Sequence, residues 1–252
     1  MSKSTAIIQL AVLSDIHGNL PALEAVVADI KRRKIERVLN LGDHASGPLW
    51  PSETVAFLMR QPWLHISGNC DRQIVRLRPA QQGLSDRYAC DALTTSQKEW
   101  LKQLPKTLSV KPAVLMTHGT PKSDNRYLLE SVVDGQVRLA TQSEISTRLG
   151  RVSETVVLCG HTHVPRIVSA ADKLIINPGS VGLSAYDSDQ PEPHLMESGS
   201  VHARFGVLTF DAGQWRIELV AVEYDHRSAA HKAQSEQRTD WANALLTGHA
   251  LA

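Results

Sequence analysis

Seven residues carry the chemistry open to this sequence: Asp15 and His17 of Asp15-Ile16-His17, Asp43, Asn69, His118, and His161 and His163 of His161-Thr162-His163. Carboxylate, amide and imidazole donors together suit borderline first-row divalent cations better than a soft sulfur site or an all-oxygen calcium site. Taken singly, each residue has an ordinary explanation. A buried His118 could be structural, and Asp15 could cap a helix, as could Asn19 ahead of Pro21. Asp43 and Asn69 could each serve a turn. Taken together these explanations fail, because burying several Asp and His side chains without counter-charge is costly. In both the Asp15–His17 and the His161–His163 pair, one residue separates the two donors. That spacing puts them on one face if the backbone stays extended. Gly18, Gly42, Gly68, Gly119 and Gly160 flank the donor positions, where tight turns and close backbone approach to an ion or phosphate are needed.

The elements that must position these residues follow from periodicity. Residues 7–14 are a mostly apolar run, expected of a strand covered on both faces. Pro21 suits a first helical turn, and Leu23, Val26, Val27 and Ile30 recur at helical spacing. Further strands are predicted at 38–41, 64–67, 114–117 and 155–159, each running into one of the metal-competent positions. Helical patterns at 52–60, 72–77, 96–104 and 141–149 alternate with them. Such alternation argues for parallel β-α-β units, whose strand ends share one edge where ligands and catalysts gather. Residues 120–135 read as a long loop with local helix, and residues 187–199, rich in Ser, Pro and Glu, as an exposed loop. Strands at 167–169, 173–176, 204–210 and 215–222 are separated by turns, which predicts antiparallel pairing, with Asp211-Ala212-Gly213-Gln214 as a hairpin turn. The tail from Asp225 is polar and helical. No repeat or domain boundary is evident, so residues 1–252 are expected to form one domain. Its metal-site core would span about residues 6–180, and its antiparallel strands and C-terminal helix about 200–252.

Composition narrows the class further. Hydrophobic and charged fractions of 42% and 21% are ordinary for a globular protein. With 27 basic and 26 acidic residues, the net charge is +1, which gives no broad footprint for duplex nucleic acid. No apolar run is long enough to span a bilayer, so no membrane association is expected. Residues 1–5 lead into an apolar stretch that is too short, and too soon acidic at Asp15, for a signal peptide. Cys70, Cys90 and Cys159 are odd in number and lack paired spacing. A disulfide framework is therefore not expected, and the cytoplasm is the expected compartment.

In five motifs the chain resembles the calcineurin-like metallophosphoesterase superfamily, and in particular its small bacterial phosphodiesterase-type members. These are Asp15-Ile16-His17, Gly42-Asp43, Gly68-Asn69-Cys70-Asp71, His118-Gly119 and Gly160-His161-Thr162-His163. They fall within residues 10–163, and Asn177-Pro178-Gly179-Ser180 looks like the turn that follows in those members. The resemblance implies an α/β (α+β) fold, a four-layer α/β/β/α sandwich of two central mixed β-sheets flanked by helices. By position it implies one metal on Asp15, His17 and His163, a second on Asn69, His118 and His161, and Asp43 bridging them. The implied cofactors are two divalent transition-metal ions, manganese foremost, with iron, zinc, nickel or cobalt as alternatives. Two such ions about 3.5–4 Å apart clamp phosphoryl oxygens and lower the pKa of a bridging water, and the resulting hydroxide attacks phosphorus in line. No Ser or Cys nucleophile is then required.

One position departs from the common pattern. Many members carry His after the metal-ligating Asn, as proton donor to the leaving group, whereas this chain has Cys70. A thiol is a poorer donor, and a positioned acid contributes about 100-fold or more. His44 and Asp71 are the adjacent candidates to replace it. Otherwise His44 would be a solvent-exposed loop residue and Asp71 a cap on the following helix. Arg72 and Arg126 are candidate contacts to substrate phosphate, with a solvated role as the alternative, and Tyr127 stands beside Arg126 in a potential lid. Ser/Thr protein phosphatases of the superfamily carry an Arg soon after the bridging Asp and a Gly-Asn-His-Glu block. His44-Ala45-Ser46-Gly47-Pro48 and Asn69-Cys70-Asp71 match neither. The expected function is metal-dependent hydrolysis of small, nucleotide-like phosphoesters, with phosphodiesters and dinucleoside polyphosphates preferred over monoesters. Homo-oligomerisation is left open. The rival is a non-catalytic interaction scaffold of the same fold, which would typically have lost metal-binding histidines that this sequence keeps.

Overall fold

Strand β1 (Ile8–Leu13) shows how the layers arise from residue alternation. Successive side chains point to opposite faces of a strand. Leu10 and Val12 pack among Val114, Met116, Val156 and Leu158 on one side. Ala11 and Leu13 pack on the other against Leu23, Val26 and Ile30 of helix α1 (Leu20–Arg32). The side chain of Asn19 caps that helix by accepting from the Ala22 N–H at 3.3 Å, with Pro21 in the first turn. The computed structural model describes residues 7–111 and 113–251. The signal-peptide reading of residues 1–5 lies outside them.

The chain continues through β2 (Arg37–Asn40), α2 (Pro51–Leu58), β3 (Leu64–His65), α3 (Asn69–Arg76), α4 (Leu84–Ala92) and α5 (Thr95–Gln103). It then enters a second sheet with β4 (Thr107–Val110) and β5 (Val114–Thr117) and forms a hairpin of β6 (Glu130–Val133) and β7 (Gln136–Leu139). Helix α6 (Gln142–Leu149), β8 (Val156–Leu158), β9 (Arg166–Ala170) and β10 (Lys173–Asn177) follow, and then a second hairpin, β11 (Ala185–Ser188) and β12 (His194–Glu197). Strands β13 (Ala203–Asp211) and β14 (Gln214–Val222) return to the first sheet, and α7 (His226–Ser235) and α8 (Thr239–Thr247) come last.

Two mixed five-stranded sheets result, ordered β14-β13-β1-β2-β3 and β4-β5-β8-β10-β9. In the first, β1, β2 and β3 are parallel, and β13 and β14 antiparallel. In the second, β5, β8 and β10 are parallel, with β4 and β9 as antiparallel edges. One apolar layer fills the space between the sheets, α1 covers the outer face of the first and α6 that of the second. This is the expected α/β/β/α arrangement. Among the described residues, no helix is long and apolar enough to cross a membrane.

Four details differ from expectation. The metal-competent positions follow strands of two facing sheets rather than one sheet edge. Strand β10, expected to pair antiparallel, does so with β9 but runs parallel to β8. Residues 120–135 hold no helix among those described; β6 begins there and turns at Asp134-Gly135, both left-handed, as a tight hairpin turn requires. Residues 187–199 belong largely to the β11–β12 hairpin, whose register pairs Ala185 with Glu197. Both hairpins are short and break the inside–outside pattern, with Glu130 and His194 buried and Val133, Leu139 and Leu195 exposed, which hides the alternation. The Asp211–Gln214 turn is as expected, with Ala212 and Gly213 left-handed.

Candidate metal centre

The two sheets present their parallel-strand C-termini side by side, and backbone hydrogen bonds stitch the loops there together. Asp15 N–H donates to the Gly42 carbonyl and His17 N–H to that of Asp43, both at 3.0 Å. Gly160 N–H donates to the His118 carbonyl at 2.7 Å, and Val181 N–H crosses between the sheets to Ser14 at 3.0 Å. The Asn177 amide holds the loop after β8 through the Gly160 carbonyl and Thr162 Oγ1, at 2.9 and 3.0 Å. Asn69 is the first residue of α3 rather than a strand end.

The backbone at the donor residues corrects the extended conformation expected of them. Asp15, His17, Asp43, His161 and His163 are all left-handed, with φ of 55°, 52°, 56°, 71° and 59°. Asp and His tolerate that region better than branched residues, yet each instance costs about 1–3 kcal/mol and persists only where its surroundings impose it. The donors are thus aimed inward by sharp turns. Two glycines make room for this. A Cβ on Gly68 would lie 2.1 Å from Asp43 Oδ1, and one on Gly160 would lie 1.9 Å from Ser14 Oγ and 2.8 Å from Asp15 Oδ2.

The side chains form two clusters. Donor atoms of Asp15, His17 and His163 lie within 4.8 Å of one another, as do those of Asp43, His118 and His161. Asp43 spans the two, its Oδ2 being 3.2 Å from His118 Nε2 and 3.9 Å from His17 Nε2. Asn69 Oδ1 joins the second cluster, 3.0 Å from His118 Nε2. His17 Nδ1 lies 2.8 Å from the Ser46 carbonyl, and His118 Nδ1 lies 2.8 Å from that of Leu41. A carbonyl only accepts, so Nδ1 carries the proton in each and a lone pair on Nε2 can face inward. His17 Nε2 then lies 3.1 Å from His163 Nε2. Asp15 Oδ1 is sealed from solvent without a hydrogen-bond partner, 3.5 Å from His163 Nε2. Crowded lone pairs and an orphaned buried carboxylate oxygen fit divalent cations that all of them could share.

The electrostatics point the same way. Burial raises the Asp15 pKa, but the His163 and His118 imidazoles outweigh it and bring the value down to about 2. The same contest holds Asp43 well below the carboxylate range, with His118 as the main opposing partner. Burial lowers His118, yet Asp43 and Asp15 lift it to about 10. Burial, then the neighbouring His118, takes His161 down to about 4. Burial, then His163, lowers His17. Two carboxylates held ionised, with the His17 and His161 imidazoles kept neutral beside them, make a pocket that favours positive charge.

A cavity of about 710 Å³ opens from these clusters. The other expected residues divide around it. Cys70 lines it, its N–H donating to Asp43 Oδ1 at 2.9 Å, and burial, then Asp43, pushes its thiol pKa well up. His44 and Asp71 do not line it. Both are fully buried, and Asp71 accepts from the N–H groups of Asp43, His44 and Gly68 at 2.9 Å each and lies 2.8 Å from His44 Nδ1. Arg72 is paired in bidentate fashion with Asp124 at 2.6 and 2.9 Å, and exposed Arg126 lies off the cavity. Cys159 is a buried core residue.

Several cavity residues were not anticipated: Ser46, Asp86, Tyr186, Arg238 and Trp241. Trp241 stands edge-on to His17 with ring centroids 5.9 Å apart. Arg238 binds both carboxylate oxygens of Asp240 and, at 2.9 Å, Ser85 Oγ, tying α8 to α4. No local motif marks these positions; they meet the donors only through the C-terminal helices and α4.

A domain of the calcineurin-like phosphoesterase superfamily matches residues 8–198. An uncharacterized protein of Methanocaldococcus jannaschii is 28% identical, over 94% of this chain and 96% of its own. Among solved structures, a metallophosphoesterase from Sphaerobacter thermophilus superposes with a TM-score of 0.75 at 21% identity, covering 96% of this chain and 100% of that one. A hypothetical protein from Pyrococcus horikoshii OT3 gives a TM-score of 0.71 at 19% identity, covering 97% and 100%. At these identities the two structures speak for the fold.

Proposed function

The chain belongs to the calcineurin-like phosphoesterase superfamily and is a hydrolase of phosphoester bonds, and we propose that it works as a two-metal phosphodiesterase or phosphatase on small, nucleotide-like substrates. Asp15, His17 and His163 would hold one divalent cation and Asn69, His118 and His161 the other, with Asp43 shared; manganese is the favoured ion. Bound there, the cations supply an activated water and neutralise charge on the phosphoryl oxygens. The protein's own part is positioning. Ser46 and Leu41 carbonyls fix the two imidazoles, and the Cys70 N–H holds one Asp43 oxygen so that the other faces both clusters. His44 and Asp71 would support the Asp43 loop instead of donating a proton. The observation that carries this reading is the pair of donor clusters sharing one carboxylate at the mouth of one cavity.

The cavity wall bears on substrate. Apart from Asp43 it presents Asp187, Asp189 and Asp240 against one guanidinium, Arg238, already paired with Asp240. Such a wall repels additional phosphates. Tyr127, Tyr186 and Trp241 offer flat apolar surface. A substrate with one phosphoester and an uncharged aromatic or nucleoside group fits better than the polyphosphates favoured from sequence. The proposal also treats residues 1–252 as one domain, supported by the pairing of β13 with β1. The free thiols Cys70, Cys90 and Cys159 support a cytoplasmic enzyme. Hydrolysis of bis(p-nitrophenyl) phosphate by metal-loaded protein tests the function. Turnover is expected, and none with any of manganese, nickel, cobalt or zinc would favour a scaffold.

A further inference from the structure

We propose that Asp86 is the proton donor to the leaving group, a role that rests on the phosphoesterase reading above and fills the place left by Cys70. Asp86 lines the same cavity as His17, Asp43 and Asn69. Its Oδ1 accepts from Ser46 Oγ at 2.7 Å, which fixes the carboxyl. Its Oδ2 takes no N–H or O–H from any described residue and is not sealed from solvent, and the carboxyl's other hydrogen-bonding neighbour is the Cys70 thiol. The Cys70 thiol lies beside it, so the carboxyl adjoins the position where many relatives carry an acid histidine. The other candidates are ruled out by placement or chemistry: His44 and Asp71 are committed to each other and to backbone, and the Cys70 thiol is too weak an acid.

An acidic residue in a first helical turn usually serves the helix dipole, solvated and ionised. Asp86 is instead only 7% exposed. Burial, then Asp43 and Asp71, lifts its pKa from 3.8 to about 7, although hydrogen bonds with Ser46 and Cys70 pull the other way. The groups around it are Asp43 on the β2 loop, Cys70 and Asp71 on α3, and Arg238 and Asp240 of the C-terminal segment, the last two paired together. A carboxyl that holds its proton near neutral pH suits a general acid. In the step, the oxygen of water bonds to phosphorus and its proton passes to solvent. The bond from phosphorus to the leaving oxygen breaks, and that oxygen takes the Asp86 proton and departs as an alcohol. Asp86 regains a proton from solvent before the next turnover.

The test is a series of phosphodiesters whose leaving groups run from p-nitrophenolate to simple alkoxides, assayed across pH with manganese-loaded wild type and Asp86→Asn, with bound metal per chain measured alongside. A phenolate leaves without help, whereas an alkoxide needs a proton. Asp86→Asn should lower kcat for alkyl substrates at least about ten-fold more than for the aryl ester. It should also abolish the fall of alkyl kcat at high pH, with metal content unchanged. Ser46→Ala, which frees the carboxyl without removing it, should show the same bias to a smaller degree and serves if Asp86→Asn does not fold. Adding Cys70→His to Asp86→Asn should recover part of the alkyl rate. Equal losses for every leaving group, with the high-pH limb retained, would overturn the assignment while leaving the phosphoesterase reading intact. A wild type inactive on the whole series would overturn both.

Discussion

His17 and His118 are aimed by the ring nitrogen that faces away from the cavity, each Nδ1 donating to a backbone carbonyl at 2.8 Å. The seven donors were legible in the sequence because residue type and neighbouring glycines are local properties. Their backbone was not, because the left-handed turns at Asp15, His17, Asp43, His161 and His163 are imposed by packing between two sheets. Equally hidden was the occupation of His44 and Asp71 by each other, which adjacency to the donors could not reveal. Asp43 is the residue on which both clusters depend, so Asp43→Asn should strip both ions from the purified chain while circular dichroism stays close to wild type. One ion retained per chain would speak against a shared ligand. Protonation gives a second prediction at this scale. His118 is raised from 6.5 to about 10, so it binds a proton more tightly folded than unfolded. In metal-stripped protein its contribution to stability is full below pH 6.5 and is lost as pH climbs through about 10. With a cation on Nε2 the imidazole is neutral and that dependence disappears. Thermal melts across this range should therefore show Tm falling with pH for chelated protein and much less for loaded protein. Parallel curves would contradict this.

At the scale of elements, short loops after β1, β2, β5 and β8 make the site, and their backbones touch. The strands themselves were readable because buried parallel strands are continuous apolar runs, such as residues 114–117 and 156–158. Helix α4 escaped notice: its nine residues bury only Asp86 and Ala89, which leaves little periodicity to find. The two short hairpins escaped for a related reason, since both bury polar residues (Glu130, His194) and expose apolar ones (Val133, Leu139, Leu195). The closeness of the loops makes a glycine prediction. Gly160→Ala would push a methyl group into Ser14 Oγ and Asp15 Oδ2. It should cost about 1–3 kcal/mol in denaturant unfolding and weaken metal retention. Unchanged stability with full metal content would show that these loops are looser than described.

At the scale of the molecule, the C-terminal helices complete the cavity although they lie beyond the residues matched to the superfamily domain. Ala229, Ala230, Ala233, Trp241 and Leu245 pack with Leu49, Leu183 and Ala185, so the small residues of α7 and α8 let both helices settle beside the metal-competent loops. The tail was legible as helical; its place against His17 depends on contacts across the whole chain and left no local trace. Trp241→Ala should cost about 3–5 kcal/mol in stability. In whatever fraction stays folded, it should raise KM for aromatic phosphodiesters more than it changes kcat. A change in kcat alone would remove Trp241 from substrate binding.

All three scales bear on the proposed pair of cations between two sheets. The most direct measurement is a titration of metal-free chain with manganese, counting bound ions per chain while following hydrolysis of bis(p-nitrophenyl) phosphate. Activity is expected to rise to its plateau as the count reaches two. Full activity at one ion per chain, or two bound ions with no turnover, would contradict the account.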